Sequence, residues 1–165
     1  MMTVNRVDDM VDVYSFENFT EEDLDWKNFA SVKRGMYSSN YPNFDIYIPE
    51  ELAEELREKG VKVKLTEPRE PGDAARYRVN VKINMNYYDP PEVYIRHKGD
   101  EKEYLDVDSL YILDKKKISY GEMMVKINHN DKSDSFNGLY LNILGVKLRE
   151  NPFDRKWAEE EFPED

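Results

Sequence analysis

The sequence contains no cysteine among its 165 residues. Disulfide scaffolds and thiolate-bound metal sites are therefore excluded. No apolar run approaches the ~20 residues that a membrane-spanning helix needs, and the N-terminal segment 1–12 has no apolar signal core. We therefore expect a cytoplasmic protein, and a chain of this length leaves room for one domain.

Motifs that mark enzymatic sites are missing as well. The seven glycines are scattered and form no phosphate-binding loop. His97 falls on the apolar side of a predicted strand, which favours a hydrogen-bonded core histidine, and His129 falls in a loop. The Asn- and Asp-rich segment 128–134 lacks the glycine and closing glutamate of a calcium loop. The sequence therefore predicts no metal, no cofactor and no catalytic residue, and we expect a protein that is not an enzyme.

The charge is strongly negative but unevenly distributed. The net charge is -11, which opposes the binding of a polyanion. Residues 1–31 carry eight acidic and two basic residues, and residues 150–165 carry seven acidic and two basic residues. The central part, 32–149, is balanced, with twenty of each. The body of the protein can therefore present a basic face.

Most of the sequence predicts short strands. The alternation of apolar and polar residues is clearest over 76–85, where it continues for ten residues. Many short strands separated by turn residues and few helices indicate a mainly β fold, a small barrel or sandwich. The ranges that predict strands are 11–16, 32–37, 43–48, 61–65, 76–85, 92–98, 123–128 and 139–148.

One helix is clear and two others are short. The clear helix begins at Pro49, has glutamates in its first turn and ends at Gly60. A capping-box pattern at Thr20 predicts a short helix that runs to about residue 30. Asp106 is placed to cap another short helix that ends at about residue 113.

Basic residues and tyrosines share one side of the predicted strands. Cations that follow phosphates and aromatic rings that stack on bases are the combination that single-stranded DNA binding requires. An alternating basic side can equally be the solvated side of a sheet, and the pattern alone leaves both interpretations open. The predicted DNA-binding residues are Lys33, Tyr37, Tyr47, Lys62, Lys64, Arg76, Arg78, Lys82, Tyr94, Arg96 and Lys126.

From about residue 37 to 148 the sequence resembles phage-encoded single-stranded DNA-binding proteins with an OB fold. The resemblance depends on several short motifs that occur in the same order and at similar spacing. It implies a β-barrel of OB type and sequence-independent binding of single-stranded DNA, in phage replication, recombination or repair inside the infected host cell. The motifs lie at Asn43–Ile48, 51–60, 61–64, 67–73, 90–95 and 110–114, of which 67–73 is the sharpest.

The resemblance also implies a division of the chain. Residues 1–149 are expected to form the OB domain, with 1–30 as an acidic extension, and 150–165 an acidic tail. Tails of this kind recruit replication or recombination proteins, and carboxylates mixed with aromatic rings suit a basic, apolar-lined pocket. A solvated, disordered end is the alternative for this segment. The residues expected to bind a partner are Trp157, Glu159, Glu160, Glu161 and Phe162.

Some positions depart from the family's pattern. Segment 126–131 replaces an Arg-Pro and Trp segment, and segment 138–142 lacks an expected lysine. Each change removes positive charge near the expected groove. The alternative hypothesis is therefore an OB-fold interaction protein that binds a host protein instead of DNA. Such an acidic protein could act as a DNA mimic that occupies the DNA-binding cleft of a host enzyme. The sequence is compatible with a homo-oligomer.

Overall fold

The computed structural model describes residues 2–7, 12–31, 42–68, 70–129 and 136–149. Over these residues the chain is mainly β, with one substantial helix, as the sequence predicts. No helix in these ranges is long and apolar enough to cross a membrane. The strands are β1 (Thr3–Arg6), β2 (Val13–Phe19), β3 (Leu24–Asn28), β4 (Asn43–Ile48), β5 (Lys64–Thr66), β6 (Arg76–Lys82), β7 (Glu92–Arg96), β8 (Lys102–Tyr104), β9 (Ile118–Asn128) and β10 (Gly138–Leu148), and the helices are α1 (Glu50–Glu58) and α2 (Ile112–Lys115).

The strands form one sheet in the order β1-β2-β9-β10-β6-β4-β3. β5 also pairs with β6, and β7 joins β10 to β8. Within the described residues β1 and β3 do not pair with each other, so the sheet is open and OB-like instead of closing into the expected barrel. β10 is the strand that connects the two parts of the sheet. It runs antiparallel to β9 along one edge and parallel to both β6 and β7 along the other.

The core lies on one side of this sheet. Alternate residues of the two longest strands are buried, as in Val125 and Ile127 on β9 and Leu139 on β10. Helix α1 covers the core with Ala53 and Leu56. The predicted helix is confirmed at 50–58, with Pro49 just before it and Gly60, at φ +83, just after it.

The short helix predicted over 20–30 is wrong. The capping box at Thr20 does form, and the Thr20 backbone N–H donates to Asp23 Oδ2 at 2.9 Å. It caps only a 3-10 turn, Glu21–Asp23, after which the chain becomes β3. Pairing of β3 with β4 overrides the local helix signal, and a bulge between Asp25 and Asn28 holds Trp26 at φ 49.

Two further expectations need correction. Residues 106–111 form turns capped by the Asp106 carboxylate, and the second helix begins later, at Ile112. His97 is not a core residue, because β7 ends one residue before it and its side chain is 48% exposed. Its ring lies 2.8 Å from Glu103 instead. The predicted strand 32–37 lies outside the described residues.

Candidate nucleic-acid interface

The side of the sheet opposite the core carries a row of polar residues that crosses four strands. Tyr140 on β10 pairs directly with Lys126 on β9 and with Lys82 on β6, and Lys82 pairs with Asn43 on β4. Direct cross-strand partners point to the same side of a sheet. These four residues form the first row of what we call the polar face.

A second row lies further along β6. Arg78 pairs with Tyr47 on β4 and with Lys64 on β5, so all three share the polar face with the first row. Arg76 lies on the same side of β6, two residues before Arg78. The sequence alternation therefore placed these residues on one side correctly.

Asp45 organises the second row. This carboxylate is 1% exposed, although it lies on the polar face. Arg78 Nε donates to it at 2.9 Å, the Lys64 Nζ lies 3.6 Å away, and Asn80 Nδ2 donates at 2.9 Å. The positive charges of Arg78 and Lys64 are thus partly neutralised within the protein. The Arg78 guanidinium also donates to the Thr66 hydroxyl.

Tyr47 is fixed in place from two sides. Its hydroxyl donates to Asp25 Oδ2 at 2.8 Å, and the Arg76 guanidinium carbon lies 3.6 Å from its ring centroid. Burial, followed by the hydrogen bond to Asp25, raises the pKa of the Tyr47 hydroxyl above its usual value. Tyr47 is therefore a neutral, oriented ring with a cation stacked on one side.

Tyr94 does not have the exposure that the sequence predicts. Only 4% of the residue is exposed, because it lies opposite Gly145 and its ring packs onto that residue. A Cβ on Gly145 would come within 2.5 Å of the Tyr94 ring. Lys102 lies 4.8 Å from the ring centroid, and Tyr104, which is 59% exposed, lies 5.7 Å away. The expectation that Tyr94 offers an open ring is wrong for this reason.

The remaining predicted residues differ in their surroundings. Arg96 is half-buried and its guanidinium lies 3.5 Å from Glu122. A hydrogen bond with the Tyr94 hydroxyl raises the pKa of Arg96. Lys62 is exposed, lies 5.8 Å from the Phe136 ring and belongs to neither row. Lys33, Tyr37, Trp157, Glu159, Glu160, Glu161 and Phe162 lie outside the described residues.

A groove next to the first row contains aromatic residues that the sequence reasoning missed. Tyr87 and Tyr88 lie in the connection between β6 and β7, with ring centroids 5.3 Å apart. Tyr88 is 94% exposed and Tyr87 is 54% exposed. Two adjacent tyrosines in a polar turn were the available signal, but the alternation pattern covers only strands. The groove has a volume of about 370 Å³ and is lined by Asn84, Tyr87, Tyr88, Asp89, Pro91, Lys126, Asn128, Tyr140, Leu141 and Asn142.

Among the described residues no cluster of three or more histidine or carboxylate side chains could hold a metal ion. The polar face therefore offers cations, amides and aromatic rings. An OB-like sheet with cations and tyrosines on its outer side is typical of proteins that bind single-stranded nucleic acid.

Comparison with known proteins identifies the family. The model of the phage ssDNA-binding domain family matches residues 10–157, and the chain belongs to this family. No curated protein matches it. Among solved structures it is similar to the single-stranded DNA-binding protein from bacteriophage Enc34, with a TM-score of 0.52, 8% identity, and coverage of 99% of this chain and 96% of that one. A C-terminal truncation of that protein matches with a TM-score of 0.48, 9% identity, and coverage of 86% and 88%.

Asp45 is expected to stabilise the folded protein through the two cations that it faces. Asp45→Asn removes the charge that holds Arg78 and Lys64, and we expect it to lower the free energy of unfolding by about 1–3 kcal/mol. Urea denaturation at neutral pH measures the change. Asp108→Asn, at an exposed carboxylate, is the matched control and is expected to shift stability by less than about 0.5 kcal/mol. An Asp45→Asn variant as stable as the control would contradict the role given to this carboxylate.

Proposed function

We propose that this protein binds single-stranded DNA on the polar face without sequence preference. The observation that carries the proposal is the cross-strand register that places cations and tyrosines from β4, β5, β6, β9 and β10 on one side of the sheet. Membership of the phage ssDNA-binding domain family supports it. The proposed setting is phage DNA replication, recombination or repair in the cytoplasm of the infected cell.

The cations on the polar face would contribute unequally to phosphate binding. Arg78 and Lys64 already face Asp45, and Arg96 faces Glu122. Lys82 and Lys126 have no carboxylate partner among the described residues. Neutralising a phosphate therefore costs these two lysines no existing ion pair, and we assign them the main electrostatic role. Arg76 and Lys62, which are both exposed, would add to it.

The absence of sequence preference follows from the same set of groups. Phosphate contacts carry no sequence information, and stacking on an aromatic ring is available to every base. Tyr47 is proposed as one such ring, with the side away from Arg76 as the contact surface. Tyr94 lies between Gly145 below its ring and Lys102 above it, so it would not stack on a base itself. It would hold the neighbouring Tyr104 ring in position.

Binding of a single strand is the direct test. Anisotropy of a fluorescein-labelled single strand of ~30 nucleotides should rise to saturation as protein is added at low salt. Affinity should fall with salt by a slope of about 0.7 per phosphate contacted. The matching duplex should bind much more weakly. Absence of binding to the single strand at low salt would overturn the proposal and favour the alternative of a host-protein partner.

A paired set of variants separates the polar face from the rest of the surface. Lys82→Ala with Lys126→Ala removes two cations of the first row and should lower the salt slope by about 1.4. Lys115→Ala with Lys117→Ala removes the same charge from exposed positions in and just after α2, and should leave the slope unchanged. An equal loss in both pairs would show that only net charge matters.

We also propose that residues 1–149 form the DNA-binding domain, with 1–30 as its acidic extension. The acidic tail, 150–165, would recruit a replication or recombination protein. Its composition supports this, because three carboxylates, Glu159, Glu160 and Glu161, lie between the large aromatic residues Trp157 and Phe162. Trp157→Ala with Phe162→Ala should abolish capture of that protein from infected-cell extract while affinity for the single strand stays unchanged. Equal capture by the variant and the parent protein would contradict the role of the tail.

A further inference from the structure

The groove beside the first row exists because β10 changes its partner. Tyr140 pairs with Lys82 at the end of β6, and Ile143 pairs with Glu92 at the start of β7. Ile83 is still buried in the core, and its backbone N–H donates to the Pro42 carbonyl, but residues 84–91 have no place in the sheet between these two strands. A register shift between Leu141 and Ile143 marks the same point on β10. The connection therefore projects from the sheet next to Tyr140, and the groove lies between them.

The chemistry of this groove suits a nucleobase. Tyr87, Tyr88 and Tyr140 supply aromatic rings, and the amides of Asn84, Asn128 and Asn142 supply hydrogen-bond donors and acceptors. A base offers flat faces for stacking and a polar edge for amides, and so matches both kinds of group. A volume of about 370 Å³ lies within the range of ligand-binding pockets.

The exposure of Tyr87 and Tyr88 also favours a binding site in this groove. A ring that is 94% exposed buries almost none of its apolar surface, so Tyr88 does little for the stability of the core. Among the residues that the structure describes, its ring stacks on Tyr87, at an interplanar angle of 29°. Exposed aromatic residues that border a groove are typical of a binding site.

Cations lie where the phosphates of a bound strand would pass. Lys126 lines the groove, and Lys82 Nζ lies 5.8 Å from the centroid of the Tyr140 ring. These are the two lysines of the polar face that have no carboxylate partner among the described residues. Stacking groups and available charge therefore coincide at this place.

We propose that this groove is a base-binding site in which unstacked bases of the single strand pack on Tyr87, Tyr88 and Tyr140. The inference rests on the proposed function and deepens it, because it names the groups that read the bases. It also gives a reason for preferring single strands, since a base inside a duplex is already stacked and paired. Lys82 and Lys126 neutralise the flanking phosphates.

Substitution of the tyrosine pair tests the site. Tyr87→Ala with Tyr88→Ala should weaken binding of an oligothymidine strand about 5-fold or more, since a stacked base contributes ~1–3 kcal/mol. Tyr87→Phe with Tyr88→Phe keeps the rings and should bind as the parent protein does. Tyr111→Ala, at an exposed tyrosine next to α2, is the matched control and should also bind normally. Unchanged circular dichroism shows that the variants fold.

An abasic strand of the same length separates stacking from charge. It keeps the phosphates and has no bases, so the parent protein and the alanine pair should bind it equally. Parent protein that binds oligothymidine while the alanine pair binds it just as tightly would overturn the base-binding site alone. A loss that is equally large on the abasic strand would also overturn it. Parent protein that binds neither strand would overturn the proposed function together with the site.

Discussion

The pairing of β10 is the constraint from which the other features follow. This strand pairs with β9 along most of its length and gives its other edge first to β6 and then to β7. One strand therefore aligns Lys126, Tyr140 and Lys82 in a row, and it leaves residues 84–91 outside the sheet next to them. It also brings Gly145 under Tyr94, which removes that ring from the surface. The open sheet, the polar face and the groove all depend on this one register.

An acidic protein can carry such a face because its charges are arranged locally. The sequence carries -11 overall, yet a single buried carboxylate, Asp45, faces Arg78 and Lys64 on the polar face. That pairing fixes the second row and lowers its effective charge. Lys82 and Lys126, on the first row, keep their full positive charge because no described carboxylate pairs with them. In the proposed DNA complex, attraction to phosphates is therefore concentrated beside the groove, and stacking is expected to contribute much of the affinity.

Much of the fold and part of the site could be predicted from the sequence. The alternation along β6 gave the correct side for Arg76, Arg78 and Lys82, because a period of two reports directly on a half-buried strand. Pro49 and Gly60 bounded α1 for equally local reasons. These signals depend on neighbouring residues alone.

The errors arose where distant strands decide the outcome. The capping box at Thr20 formed, but pairing with β4 turned the following residues into a strand. Alternation places Tyr94 on the polar side of β7, but it cannot show that a glycine lies opposite on β10 and lets the ring pack down onto the sheet. Tyr87 and Tyr88 were missed because they lie in a turn, where periodicity carries no information. Each case needs the cross-strand register, which the sequence does not display.

The base-binding groove can be tested by photo-cross-linking the protein to an iododeoxyuridine-substituted single strand. Mass spectrometry of the peptides then identifies the cross-linked residues. The cross-links should concentrate on Tyr87, Tyr88 and Tyr140, and an excess of unlabelled single strand should suppress them. Efficient cross-links confined to exposed rings away from the polar face, such as Tyr111, would contradict the proposed base-binding site.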